Sequence, residues 1–549
     1  MARGETDKLM CGGSGHSPAI MQKASMQKAL MLGRVLTGVA GLLLSSMANA
    51  AAATADADQC RALVGRTFIL AGDTPAVVGT ARPVAANAGL PAHCAVEGYV
   101  APQVGFEIRL PMENWNGRYL QQGCRGMCGF LNSGLTDDAL ARGYATASTD
   151  MGHKAINSTS GLWAVDNPQG KIDYGHRATH VTAEVADAVI EAFYGAAARK
   201  KYFRGCGTGG RQALVEAQRY PSDFDGIAVN GGIVFNFTRL NYLMAWSVRA
   251  NLDSEGRQIM SEADTATLHR GALNACDGAD GRVDGVISYP EVCSFNPASL
   301  VCRPGQTDDC LTVAKVATAQ KMYAGPSRTN GEVIYPGMAL GSEKKWASAF
   351  FGANPRYAHF SVEMMRYFLF PTPPGPRFEL KDFDLDKPVA DFTETERLVS
   401  ADATDYAGFR ARNGKLLVIH GWNESAMPGT YPPRYVRRLA EELGTTAALK
   451  DFFRFYMVPG EMHCAAGVPE GRHFDVLTAL ERWVEAGEAP DTVQGFALKT
   501  DPKFPNHARF PLDPANIEEQ RPYAPYPERL IYRGKGDTSD LKSYRRLKN

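Results

Sequence analysis

A glycine-rich corner, Gly205-Cys206-Gly207-Thr208-Gly209, is the stretch of the sequence with the clearest chemical meaning. A short apolar segment leads into it from Tyr202, and a helix-like segment at residues 212–219 follows. This is the frame of the Gly-x-Ser-x-Gly elbow, a tight strand-to-helix turn that exposes a nucleophilic serine and aims the next residue's N–H at the developing oxyanion. The frame is intact, but Gly207 stands at the serine position. The motif predicts an acyl-transfer site without its usual nucleophile.

A carboxylate and a histidine follow two later predicted strands. Glu424 comes after the strand at residues 415–421, and His463 comes after the strand at residues 452–458. Triads built on this elbow run in the chain order nucleophile, acid, base. Taken singly, Glu424 is equally well explained as a solvated loop residue and His463 as a buried structural histidine. Together and in this order, they favour a catalytic acid and base.

Two cysteines flank these positions. Cys206 directly precedes the elbow position, and Cys464 directly follows the candidate base. A disulfide between them would hold position 207 and His463 within reach of each other.

The composition excludes some classes of partner. The chain has 549 residues, with 44% hydrophobic and 21% charged, which suits one large domain with an insertion, or two domains. Lys plus Arg and Asp plus Glu both number 59, so no basic excess indicates nucleic acid or an anionic membrane as a partner.

The N-terminal 50 residues resemble a leader with an export signal. Lys28 and Arg34 precede an apolar run at residues 35–44, and Ala48-Asn49-Ala50 is a small-x-small cleavage site. The apolar run is too short for a membrane anchor. We expect cleavage near Ala50 and a secreted or periplasmic protein. Of eleven cysteines, Cys11 lies in the leader, and the even remainder predicts five disulfides.

The remaining sequence predicts an α/β fold with a parallel core. Short alternating strands come first, then strands and helices take turns, which indicates a mixed sheet. The rhythm breaks at residues 240–391, an irregular stretch typical of a functional lid. The core is therefore expected at residues 51–239 and 392–549, the latter including a tail. The predicted strands are residues 98–101, 105–110, 118–122, 143–150, 223–232, 415–421 and 452–458, and the predicted helices are residues 176–198, 212–219, 431–443 and 474–486.

On these motifs the chain resembles the tannase and feruloyl esterase family, which includes a bacterial hydrolase of mono(2-hydroxyethyl) terephthalate. Members carry Gly-Cys-Ser-x-Gly-Gly-Arg at the elbow, His-Gly-x-x-Asp at the acid and Gly-x-x-His-Cys at the base. The matching segments here are residues 205–211, 420–424 and 460–464. Glycine replaces the serine at position 207, and Glu424 replaces the usual aspartate while keeping a carboxylate.

The resemblance implies an α/β-hydrolase core with a large inserted lid, acting on small aromatic esters of the feruloyl, galloyl or terephthaloyl kind. It implies oxyanion donors at Thr208 and in the loop of Cys124 and Arg125. It also implies five disulfides: Cys206–Cys464, Cys276–Cys293, Cys302–Cys310, Cys60–Cys94 and Cys124–Cys128.

The segment between Cys276 and Cys293 is similar to the family's calcium loop. Closely spaced aspartates with intervening glycines suit a hard cation that takes six to eight oxygen ligands. An Asp-Gly turn cluster without a metal is the alternative. The expected calcium ligands are the side chains of Asp277, Asp280 and Asp284 and the carbonyls of Arg282 and Val286.

Aromatic residues offer candidates for substrate binding. Trp422, inside the acid loop, is expected to face the site. The aromatics of the predicted lid would form either a slot for the acyl group or the lid's own small core. They are Trp346, Phe350, Phe351, Tyr367, Phe368 and Phe370.

Glycine at position 207 leaves several activities open. Thr208 is an unsuitable replacement because a sharp elbow points adjacent side chains in different directions. Cys206 could attack only if unpaired, which export disfavours. Oxyanion stabilisation and binding alone leave roughly 10³ to 10⁴ of rate over water, with His463 activating a water molecule. The alternatives are binding of an aromatic acid or ester without turnover, or other chemistry at His463 and Glu424.

Overall fold

The computed structural model describes residues 57–87, 89–383, 392–465, 472–500 and 510–548. The predicted leader and cleavage site, residues 1–50, lie outside the described residues. No helix among the described residues is long and apolar enough to cross a membrane.

A ten-stranded mixed sheet forms the core, in the order β1-β2-β3-β4-β6-β5-β7-β8-β9-β10. Strands β1 to β4 pair antiparallel, as does β4 with β6, and the strands from β6 to β10 pair parallel. The predicted α/β class and antiparallel start are therefore confirmed. The strands are β1 Thr67–Leu70, β2 Thr74–Val84, β3 His93–Val100, β4 Val104–Pro111, β5 Arg118–Gln122, β6 Ala145–Thr149, β7 Lys200–Gly207, β8 Gly226–Ile233, β9 Lys415–Gly421 and β10 Phe453–Val458.

Helices cover both faces of the sheet, which explains why its central strands are apolar on both sides. In β9, Leu416 and Val418 join one buried cluster, and Leu417 and Ile419 join another on the opposite face. The helices are α1 Ala57–Arg61, α2 Asp137–Ala141, α3 Pro168–Ile172, α4 Ala178–Tyr194, α5 Thr208–Arg219, α6 Phe237–Ala250, α7 Glu262–Cys276, α8 Val313–Ala324, α9 Arg356–Tyr367, α10 Thr393–Val399, α11 Ala407–Ala411, α12 Tyr431–Glu442, α13 Thr446–Lys450 and α14 Val476–Ala486.

The insertion between β8 and β9 is more regular than its sequence indicated. It contains α6 to α11, and no described residue of it joins the ten-stranded sheet. The expectation of an irregular stretch was wrong because capped helix starts lie among its Pro and Gly residues. Ser261 and Asp264 form a reciprocal capping box at α7, and Asn236 caps α6. The predicted lid boundary at residue 240 falls inside α6.

The C-terminal region carries two further pairs of strands, for which the sequence analysis made no prediction. Strand β11, Val493–Leu498, pairs antiparallel with β12, Ile517–Tyr523, and β13, Arg529–Tyr532, pairs antiparallel with β14, Tyr544–Leu547. The sequence of β12 is largely polar, so it lacks the apolar alternation that predicts a strand.

Five disulfides join the cysteines in the pairs that the family resemblance implied. They are Cys60–Cys94, Cys124–Cys128, Cys206–Cys464, Cys276–Cys293 and Cys302–Cys310. The bridge Cys206–Cys464 spans 258 residues and joins the end of β7 to the loop after β10.

Arg211 in α5 ties the elbow helix to neighbouring segments. Its fully buried guanidinium donates to the carbonyls of Tyr174 (2.7 Å), Gly175 (2.6 Å) and Val399 (3.2 Å). Exposed Arg219, on the same helix, donates to the carbonyl of Arg397.

We expect Arg211→Met to lower the free energy of unfolding by about 3 kcal/mol or more, because hydrogen bonds from a charged donor are worth about 1.5–3 kcal/mol and buried carbonyls lose their donor. The matched control Arg219→Met should cost under about 1 kcal/mol. Denaturant unfolding measures both. Equal losses would show that burial of Arg211 adds nothing.

Candidate active site

The elbow forms where β7 ends at Gly207 and α5 begins at Thr208. Gly207 has φ 61° and ψ −117°, a backbone conformation that residues other than glycine rarely adopt. The frame needs its other glycines for close approach. A Cβ on Gly205 would lie 2.2 Å from the carbonyl oxygen of Gly209.

Position 207 faces the candidate base directly. A Cβ built on Gly207 would lie 3.0 Å from Cε1 and 3.2 Å from Nε2 of His463. A serine hydroxyl at this position would therefore reach the imidazole. With glycine, the space between the main chain and Nε2 is left without a side chain.

Glu424 orients His463. Its Oε2 lies 2.8 Å from Nδ1 of the imidazole, and its Oε1 accepts from the N–H of Ala426 at 2.7 Å. The Glu424 side chain is 1% exposed and that of His463 is 30% exposed. Because Nδ1–H donates to the carboxylate, Nε2 is left as the proton acceptor towards position 207. The structure thus brings the predicted acid, base and nucleophile position together.

Thr208, the residue after the glycine, has a main-chain partner for its side chain. Its hydroxyl donates to the carbonyl of Gly126 at 2.6 Å. This contact agrees with the expectation that Thr208 does not replace the missing serine. Its main-chain N–H lies at the N-terminus of α5, where partial positive charge favours an oxyanion.

The suggestion of Cys124 as an oxyanion donor is wrong. Its N–H donates to Oε1 of Gln212 at 3.1 Å and so points into the protein. Arg125, the other suggested residue, lines the same cavity as Gly207 and His463.

A cavity of about 130 Å³ opens beside position 207. A cavity of about 150 Å³ is known to hold one benzene ring, so this space suits a single aromatic group. Its wall is largely apolar, and Val234, Phe237, Leu240, Met244, Tyr357, Phe360 and Met427 contribute to it.

Trp422 does not line this cavity. It is 2% exposed and borders a separate cavity with Met457 and Tyr526, so its predicted substrate-facing role is wrong. The six aromatics proposed for the lid are also absent from the wall. Most of them are buried, as residues of a small core would be. The aromatics that do face the site are Phe237, Tyr357 and Phe360, which α6 and α9 carry.

Tyr357 packs against the base. Its ring lies edge-on to the imidazole of His463, with 6.1 Å between ring centroids. Burial, and to a lesser degree the charge of Glu424, raise the pKa of Tyr357 well above its ordinary value, so its phenol stays neutral. Arg356 and Phe360 are four residues apart on α9, a spacing that places side chains on one face of a helix. This helical periodicity is the sequence signal that could have found them.

Positively charged residues also line the cavity. Arg125 and Arg356 both line it. Burial, followed by the charge of Arg356, lowers the pKa of Arg125 from its usual value. Two like charges that face one cavity create a potential that an anionic group would neutralise.

The acidic loop after α7 carries the predicted calcium ligands, and two of its aspartates contact an arginine. Asp277 accepts from the N–H groups of Asp284 (3.1 Å) and Gly285 (2.9 Å). The guanidinium of Arg521 contacts both Asp280 and Asp284. Arg282 pairs with Asp284 at 3.0 Å. Val286 borders a separate cavity with His269.

The sheet, the elbow and the ordered Glu424–His463 pair define the α/β-hydrolase class. Known structures agree. An esterase from Aspergillus oryzae superposes with a TM-score of 0.78 at 25% identity, over 89% of this chain and 100% of that chain. Feruloyl esterase B from Aspergillus oryzae superposes with a TM-score of 0.75 at 25% identity, over 86% and 97% of the two chains.

The family model described as tannase and feruloyl esterase matches residues 89–547, and the chain belongs to this family. An uncharacterized esterase of Xanthomonas campestris pv. campestris is 32% identical over 93% of each chain. The mono(2-hydroxyethyl) terephthalate hydrolase of Piscinibacter sakaiensis is 32% identical over 83% of this chain and 85% of its own.

We expect Gly207→Ser to lower the free energy of unfolding by about 1–3 kcal/mol, because a side chain would occupy a strained backbone conformation and press on His463. Gly207→Ala should cost as much, since the Cβ causes the loss. The control Gly195→Ser, at φ 69° with no atom near its Cβ, should cost less. Denaturant unfolding of the oxidised proteins measures all three. Equal costs at positions 207 and 195 would rule out an effect of His463.

Proposed function

We propose that this protein is a carboxylic ester hydrolase for esters of aromatic acids, with its triad altered at the nucleophile. The observation that carries the proposal is the Glu424–His463 pair, whose Nε2 faces position 207 beside a cavity of the size of one ring. Family membership supports the same reaction class.

With serine at position 207, His463 would take the hydroxyl proton, an acyl-enzyme would form, and Glu424 would stabilise the imidazolium. In the unaltered chain, water takes the place of the hydroxyl. His463 accepts a proton from the water as oxygen bonds to the ester carbonyl. The Thr208 N–H stabilises the oxyanion, and the alcohol leaves with the proton from His463. A water molecule is not attached to the protein as a serine hydroxyl is, so hydrolysis by this route is slow.

The acyl group is proposed to be of the feruloyl, galloyl or terephthaloyl kind. Relatives named as a mono(2-hydroxyethyl) terephthalate hydrolase and as probable feruloyl esterases support the terephthaloyl and feruloyl kinds. Arg125 and Arg356 favour a ring that carries a carboxylate, since a guanidinium pairs well with that group.

The glycine itself favours a second candidate function. Without a nucleophilic side chain at position 207, the cavity could bind an aromatic acid or ester without turning it over. A protein of this kind would keep the apolar wall and the two arginines and have no need of Glu424.

We expect slow hydrolysis by the unaltered chain and much faster hydrolysis by Gly207→Ser. The substrates are methyl gallate, methyl ferulate, a terephthalate monoester and a nitrophenyl ester. The gain should be of the order of 10²-fold or more, because covalent catalysis divides the reaction into two easier steps. His463→Ala should remove activity from both forms, which shows that neither rate comes from a contaminant.

Saturable binding of an aromatic acid to the unaltered chain, with no turnover, would support the binding function. Activity that is equal in the glycine and serine forms would contradict the triad assignment. Calorimetry with terephthalate and the ester assays distinguish these results.

The protein is further proposed to be exported. The five disulfides among the described residues support an oxidising compartment. The predicted signal at residues 28–50 agrees with this location.

We also propose that the acidic loop binds Ca²⁺ through Asp277, Asp280 and Asp284 and the carbonyls of Arg282 and Val286. The donors fit in kind, because all are oxygens on one short loop, and Asp277 and Asp280 are buried. The contacts of Arg521 with Asp280 and Asp284 partly neutralise the loop, so the cation would share these carboxylates with the guanidinium. Bound calcium would stabilise the fold around the Cys276–Cys293 bridge.

Removal of calcium by a chelator should lower the melting temperature, and added calcium should restore it. The loss should be about 2.7 kcal/mol relative to calcium at about 100 times its dissociation constant. Asp277→Asn should melt alike with and without chelator. Asp253→Asn, outside the loop, should respond as the unaltered chain does. A chelator-independent melt of the unaltered chain would mean that the loop is an arginine-neutralised turn cluster.

A further inference from the structure

The two sulfur atoms of the Cys206–Cys464 bridge lie in different surroundings. Cys464 lines the same cavity as Gly207, His463 and Tyr357. Cys206 borders a separate cavity with Arg204 and Asn230, and its Sγ lies 3.5 Å from the carbonyl oxygen of Gly231. Only the Cys464 side of the bridge therefore faces the proposed substrate.

The Cys464 sulfur is close to both the base and the missing nucleophile. A ring nitrogen of His463 and the two sulfur atoms all lie within 4.8 Å of one another. The Cβ that Gly207 lacks would stand 4.0 Å from Sγ of Cys464. Glycine thus leaves open the space between this sulfur and the cavity, which a serine side chain would partly fill.

We propose that Cys464, released from its bridge to Cys206, is the nucleophile of a Cys464–His463–Glu424 triad. The unaltered chain is then a thiol-dependent esterase that the disulfide restricts to the slow, water-dependent rate. This inference rests on the proposed function, because it uses the same base, acid and cavity.

Activation consumes one dithiol. A thiolate of the dithiol attacks Cys206 or Cys464, a mixed disulfide forms, and the second thiol resolves it. Two electrons and two protons pass to the protein, which gains two thiols, while the dithiol becomes a cyclic disulfide. The freed Cys464 sulfur can then turn about its Cα–Cβ bond towards Nε2 of His463.

Ester cleavage then follows the usual order for a cysteine nucleophile. His463 takes the thiol proton, and the thiolate bonds to the ester carbonyl. The C–O bond breaks as the alcohol leaves with the proton from His463, and a thioester remains on Cys464. Water, deprotonated by His463, attacks the thioester, the C–S bond breaks, and the thiol and the carboxylic acid are released. A neighbouring imidazole favours the thiolate, and Cys is the most nucleophilic of the common side chains at neutral pH.

The test replaces one cysteine at a time, so that no reductant is needed and the other four bridges stay closed. Cys206→Ser leaves Cys464 as the free thiol, and the matched control Cys464→Ser leaves Cys206 free. Both are assayed on the ester that Gly207→Ser hydrolyses fastest, before and after iodoacetamide. Mass mapping identifies the alkylated residue, and intact mass detects an acyl group on Cys464.

We expect Cys206→Ser to exceed the oxidised unaltered chain by at least about tenfold, as a covalent nucleophile contributes more than a bound water. Iodoacetamide on Cys464 should abolish the gain, as should adding His463→Ala. Cys464→Ser should show no gain.

Three results would overturn the inference. If Cys206→Ser is no faster than Cys464→Ser while Gly207→Ser is active, the inference fails and the proposed function stands. If Gly207→Ser is inactive as well, the proposed function fails with it. Activity of Cys206→Ser that survives alkylation of Cys464 would assign the attack to water.

A second measurement applies if the Cys206→Ser variant does not fold. The unaltered chain is reduced briefly with dithiothreitol under conditions in which mass mapping finds only Cys206–Cys464 open. It should gain the same alkylation-sensitive activity. A reduced chain of native melting behaviour that shows no gain in ester hydrolysis overturns the inference.

Discussion

The site depends on the close approach of two loops that are far apart in sequence. The end of β7 and the loop after β10 meet so that position 207 and the imidazole of His463 are separated by about one side chain. The Cys206–Cys464 bridge holds this approach covalently, with Cα atoms 5.8 Å apart. A disulfide that closes so long a loop removes many unfolded conformations, and here it also holds position 207 beside the imidazole.

The insertion between β8 and β9 supplies most of the apolar wall of the cavity beside position 207. The sheet and its loops supply the turn, the base and the acid, but the apolar wall comes largely from α6 and α9. These helices bring Phe237, Tyr357 and Phe360 over the position where an acyl group would lie. The apolar wall of the cavity and the Glu424–His463 pair therefore lie on different segments of the chain.

Glycine at position 207 favours the stability of the fold at the expense of a nucleophilic side chain. The backbone there is strained for any residue with a Cβ, and a serine nucleophile needs that strain to stand above the sheet. Glycine relieves the strain and leaves the Glu424–His463 pair and its cavity in place. The loss of the serine does not explain why the buried carboxylate of Glu424 still orients the imidazole of His463.

The sequence alone determined the α/β class, the elbow, the order of acid and base, and the family, because these rest on local patterns and on short motifs. It did not reveal the helices of the insertion, whose capped starts lie among Pro and Gly residues, or strands near the C-terminus such as β12, whose residues are largely polar. Only the tertiary structure decided where side chains point. Trp422 neighbours Glu424 in sequence yet faces another cavity, and the Cys124 N–H points at Gln212, since direction depends on packing between distant segments. The two arginines beside the cavity, 231 positions apart in the chain, likewise meet only through the fold.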